Sequence, residues 1–216
     1  MARPFQYAGV VYVGPVYLRT TAGRGHKAVK AFLVIFVCLS TKAVHLDVAS
    51  SYSSEAFIAA FRRFISRRGM CSELYSDCGI NFISADAELR RLFTAGSQEG
   101  QLIAEEMANN RTQWRFNPSA APHFGGLWEA VVKSAKHYLR RVIGNATLIF
   151  EEIITLLTQI EACLNFTPLS PLTDNPEDLA ALTPGHLLIG TALTAVPEPS
   201  LQNVPANRLS CWQLLQ

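Results

Sequence analysis

A mixed α/β domain, one sheet with helices on both faces, is the architecture this sequence predicts. The 216 residues are 49% hydrophobic and 17% charged, with 12 Phe and 3 Trp, the content of a packed core rather than of a disordered chain. Strand-like and helix-like segments follow one another as three strands, helix, strand, helix, strand and then helices. The run 28–39 is apolar on both faces, as a strand in the middle of a sheet must be.

Residues 7–18 are β-branched and aromatic and predict the first strand, with Pro15 marking an end or a bulge. Thr20–Lys27 carries two glycines and predicts a hairpin loop. The central strand, 28–39, turns at Ser40-Thr41-Lys42 into a third strand over 43–49. Ser53 or Ser54 caps the next element, Glu55 lies in its first turn, and Phe57, Ile58, Phe61, Phe64 and Ile65 recur at helical spacing until Gly69 stops it. Ser72–Ser76 is a short strand that leads into Asp77, 85–92 a short helix, and 112–116 a strand. Breakers fill 118–126, and helices follow over 127–143 and 150–164. Beyond Asn165 the chain is rich in proline and predicts an extended arm with one helical turn near 184–189. The expected domains are therefore 5–165 and a Pro-rich extension, 166–216.

Composition narrows the function classes. The longest apolar run, Ala31–Leu39, has 9 residues, far short of the roughly 20 of a membrane helix. The five cysteines are odd in number and include no C-x-x-C pair, which fits reduced thiols in an intracellular protein, and the five histidines show no zinc-finger grouping. The net charge of +2 hides an asymmetry: residues 1–141 balance at +8 and residues 142–216 at −6.

Two acids are placed for chemistry. Asp77 follows a strand and Glu129 lies in the first turn of a helix, and oxygen ligands from such positions can converge on a hard divalent cation. A first-turn Glu also simply complements the helix dipole. Glu129, Lys133, Lys136 and Arg140 share one face of that helix, opposite Trp128, Val131, Val132, Ala135, Leu139 and Val142. Such a row suits a phosphate backbone, or forms a solvated face with one Glu129–Lys133 pair. Arg62, Arg63, Arg67 and Arg68 read as a solvated helix face. His123, in the breaker-rich loop, faces a substrate or is a plain polar loop residue.

Seven blocks in order, RPFQYAGVVYVGP (3–15), TKAVHLDV (41–48), RRF with RRG (62–69), YSDCGINF (75–82), PHFGGLWEAVVKSAK (122–136), QIEACLN (159–165) and LTPGHLLIG (182–190), resemble the integrase catalytic core of Pao/BEL-type LTR retrotransposons. The resemblance covers nearly the whole chain. It implies a ribonuclease-H-like sheet of order 3-2-1-4-5 with the first three strands antiparallel. It also implies a DDE polynucleotidyl transferase that joins retroelement ends to target DNA with Mg or Mn, in the nucleus, with self-association left open. Asp77 matches the family's second acid and Glu129 its third. Lys133 and Lys136 match DNA-contacting positions, with Arg140 and His123 placed to join them.

The chain departs from the pattern where it matters most. The family's first strand reads G-x-D-Y-x-G-P, and Val11 stands here in place of the first acid. Valine has no lone pair to offer, so Asp77 and Glu129 alone would hold a metal weakly and without productive chemistry. Asp47 is expected two strands away from Val11 and is no substitute. Cys78 replaces an Asn, Thr167 an Arg and Cys211 an Arg. The resemblance further implies a piece of a longer polyprotein, without the zinc-binding N-terminal domain and a further C-terminal region. The expectation is an impaired integrase core. Its rivals are an active integrase in which Val11 is an error, a DNA-binding or dimerising module without catalysis, and a relic fragment.

Overall fold

The apolar strands assemble in the expected order. The computed structural model describes residues 3–21, 27–76, 83–87, 112–116, 126–144, 147–173 and 180–193. β1 (Tyr7–Arg19), β2 (Ala28–Cys38) and β3 (Val44–Ala49) are antiparallel neighbours, and β4 (Glu73–Ser76) and β5 (Gln113–Phe116) extend the sheet in parallel beyond β1, giving 3-2-1-4-5. Pro15, which has no N–H to donate, sits where the β1–β2 register shifts between Val13 and Val16, the bulge expected of it.

Alternation along the strands sorts two cores. Val10, Val34, Phe36 and Leu74 face one side, where α1 (Ser54–Arg68) lays down Phe57, Ile58, Phe61 and Phe64. Phe36 stacks on Phe64 at 4.1 Å between ring centroids. Ser53 caps α1 by accepting from the Ala56 N–H, and Gly69 ends it at φ 82°, a conformation that favours glycine. Leu33, Ile35, Val37 and Leu46 face the other side, covered by α2 (Gly126–Ile143) and α3 (Phe150–Asn165). With helices over both faces, all six residues of β3 are buried, so its sequence alternation does not become an exposed face.

Helix α3 also answers the outward backbone of β3. Asn165 Oδ1 accepts from the Val44 N–H at 2.8 Å while its Nδ2 donates to the Val44 carbonyl at 2.9 Å. Glu161 Oε2 accepts from the Leu46 N–H at 2.8 Å, and Asp47 Oδ1 from the Val48 N–H at 2.7 Å. Every second amide of the strand is thus held by a side chain.

Three short strands were not legible in the sequence. β6 (Leu148–Ile149) pairs in parallel with Leu18 and Arg19 of β1. β7 (Ser170–Pro171) and β8 (Ala181–Leu182) form an antiparallel ribbon that leads into α4 (Pro184–Ile189), the predicted helical turn. The described residues of the expected extension, 166–173 and 180–193, therefore fold back rather than run extended, and Leu188 packs against the α1-side core. Residues 83–87 are helical, and residues 88–92 of the helix expected at 85–92 lie outside the described residues.

Candidate functional site

β1 has two partners on the edge away from β2: β4 beside Tyr7–Gly9 and β6 beside Leu18–Arg19. Between them, among the described residues, the edge carries no strand. Val11 lies in this interval. It pairs with Ile35 across β2 and joins the apolar cluster beneath α2 and α3, with Trp128 in the same cluster. Val11 is two residues beyond Gly9 as Asp77 is two beyond Tyr75, and Gly9 pairs with Tyr75.

The start of α2 is seated by one close contact. A Cβ on Gly9 would lie 2.6 Å from Trp128 Cε3, so only a glycine lets the indole rest on the strand. With Trp128 turned inward, Glu129 points outward and is exposed. Gly9→Ala is expected to cost about 1–3 kcal/mol through overpacking, read as a lower urea midpoint at unchanged slope. Combined with Trp128→Ala it should cost less than the two changes added, because the clashing ring is gone.

The second acid, Asp77, lies outside the described residues, as do Cys78 and His123. The strand that leads to Asp77 is anchored: Ser76 is fully buried and its Oγ accepts from Trp114 Nε1 on β5 at 2.8 Å. Among the described residues no three His, Cys, Asp or Glu side chains are grouped to hold a metal ion. Val11 does not fit such a site, since an aliphatic side chain packed among apolar neighbours brings no oxygen to a hard cation.

Asp47 is not a replacement ligand. It sits on β3 opposite Val34, two strands from β1 as expected, and its side chain is 1% exposed. Arg63 holds both oxygens, Nε to Oδ2 at 2.8 Å and Nη2 to Oδ1 at 3.0 Å, and Nη2 also donates to the Val48 carbonyl at 2.7 Å. Tyr12, the neighbour of Val11, turns to the α1 side, where burial and then the nearby Tyr52 push its hydroxyl pKa up, so it stays a neutral phenol.

The α1 arginines correct the expectation of a solvated face. Arg63, half-exposed, is tied to Asp47, and Arg68 donates from Nη2 to Glu161 Oε1, which leaves Arg62 and Arg67 as the fully solvated members of the four. Glu161 also lies 3.2 Å from His45 Nδ1. Burial pushes the Glu161 carboxyl up, but His45, the Leu46 amide and Arg68 together outweigh it and hold the pKa below the usual carboxylate range.

The row on α2 is placed as its periodicity implied. Glu129, Lys133, Lys136 and Arg140 are all exposed, while Ala135 and Leu139 are buried. The structure adds His137, Tyr138 and Arg141, which line one concavity of about 800 Å³ with Lys133, Lys136 and Arg140. Lys133, His137 and Arg141 recur at i, i+4 and i+8, a signal present in the sequence and not used there. Cys38, Cys71 and Cys163 are free.

Neither a family model nor a curated protein sequence matches the chain. Solved structures do. A chain of the simian T-cell lymphotropic virus intasome, in complex with PP2A regulatory subunit B56 gamma, is similar at TM-score 0.55 and 18% identity over 92% of this chain. The match spans 59% of that chain's own length. The HTLV-2 integrase catalytic core domain in complex with magnesium, in its trimeric form, is similar at TM-score 0.51 and 17% identity, over 86% of this chain and 97% of that one. The fold is that of an integrase catalytic core, ribonuclease-H-like, with the predicted strand order. The described helices include none long and apolar enough to cross a membrane.

Proposed function

We propose that this chain is an integrase-core-like module of the Pao/BEL retrotransposon type that binds nucleic acid through α2 and is impaired in DNA joining. The observation that carries the impairment is Val11, an apolar side chain on β1 packed into the cluster beneath Trp128. Support for the lineage comes from the seven ordered sequence blocks together with the integrase-core fold. One similar core was solved with magnesium and another similar chain within an intasome, which makes a divalent metal and a DNA end the natural ligands of an intact ancestor. Self-association is proposed on the same ground, since the magnesium-bound core is trimeric in that structure.

What the present residues can do is bind and orient. Lys133, Lys136 and Arg140 project three cations from one helical face, enough to neutralise successive phosphates. Glu129 at the head of that row marks the end nearest Val11's strand, through the Trp128–Gly9 contact. Val11 is partly buried and packs against the apolar cluster on the α2 and α3 side of the sheet.

The test is salt-dependent binding of the full chain to an oligonucleotide. Lys133→Ala/Lys136→Ala should weaken binding and lower the slope of log K against log salt by about 1 per lysine. An unchanged slope would move the interface away from α2.

A further inference from the structure

We infer that the α2 surface takes single-stranded polynucleotide in preference to duplex, with Tyr138 as the platform on which a base stacks. The inference rests on the nucleic-acid reading above and specifies its ligand. Tyr138 is 39% exposed, although it borders the buried side of an amphipathic helix. Its ring lies 6.0 Å from that of His137 at an interplanar angle of 74°, so the two rings are not stacked face to face. Lys133, Lys136, Arg140 and Arg141 line the same concavity of about 800 Å³.

Cations alone do not discriminate, since duplex and single strand both present phosphates. An exposed aromatic among cations does. A duplex keeps its base faces inside the stack, whereas a single strand can lay an unpaired base on a ring while its phosphates follow the charges. The row at i, i+4, i+8 through Lys133, His137 and Arg141 widens the cationic face toward Tyr138, which lies three residues before Arg141 on the helix.

The experiment is fluorescence anisotropy of the full chain with a 20-nucleotide oligo-dT and with a duplex of the same length, at equal salt. Tighter binding of the single strand is expected. Tyr138→Ala should weaken oligo-dT binding about 5- to 150-fold and duplex binding far less, and Tyr138→Phe, which keeps the ring, should retain the preference. Circular dichroism of each variant separates lost stacking from lost folding, and the wild-type ratio decides the preference even if Tyr138→Ala does not fold. Equal or tighter duplex binding by the wild type, or a folded Tyr138→Ala with unchanged oligo-dT affinity, overturns the inference. If binding nevertheless depends on Lys133 and Lys136, the broader nucleic-acid reading survives that result. Absence of binding to either oligonucleotide overturns both.

Discussion

Glu161→Ala lowers the stability of the chain by about 3–5 kcal/mol, toward the lower figure because Arg68 is 21% exposed and recovers some hydration. The carboxylate serves three elements: it accepts from the Leu46 amide of β3, pairs with Arg68 of α1, and lies beside buried His45. Its removal leaves an amide without an acceptor and a guanidinium without its partner, each in a largely desolvated place. For a chain of this length the melting temperature should fall by roughly 2–4 °C per kcal/mol. The same group sets an acid limit. Its pKa is held below that of the unfolded chain, so its stabilisation is complete above about pH 5 and is lost as pH falls through the folded value. Wild type should lose stability on acidification, and Glu161→Gln, which cannot titrate, should start lower and show a flatter profile. Equal acid slopes would remove Glu161 from this role.

Val11→Asp makes the fold depend on a divalent cation. A carboxylate placed among Ile35's neighbours and the Trp128 cluster has no apolar reason to be there, and without a counter-charge it destabilises the sheet. In EDTA the variant should melt below wild type. In magnesium at about 100 times the dissociation constant it should regain about 2.7 kcal/mol, a shift that wild type does not match. Strand-transfer assays in manganese should find wild type no faster than an Asp77→Asn/Glu129→Gln control. Activity well above that control would sink the impaired-core reading, and a Val11→Asp variant indifferent to magnesium would mean that the loss of the site extends beyond position 11, for instance to Cys78.

The legible parts of the fold were those written in local periodicity. Phe57, Phe61 and Phe64 announce α1, and the unbroken run from Ala31 to Cys38 announces a central strand. Val11 was visible because a motif had a gap in it. The contacts that hold the site were not visible, because they are tertiary. Nothing in Gly9 points to Trp128, and Glu161 meets Leu46 across 115 residues of sequence. Arg63 and Arg68 looked solvated because a charged helix face and a buried ion pair are spelled alike until the partner is known. Strands as short as Leu148–Ile149 have no period to read.

Asn165, Glu161 and Asp47 together occupy the Val44, Leu46 and Val48 amides. A strand at the margin of a sheet is otherwise a template on which a foreign chain can lay itself, the first step toward cross-β stacking. Here the template is already taken by side chains of the same molecule. Growth of the sheet past β3 is thereby blocked, and copies of this chain that meet on that flank must do so through helices and loops.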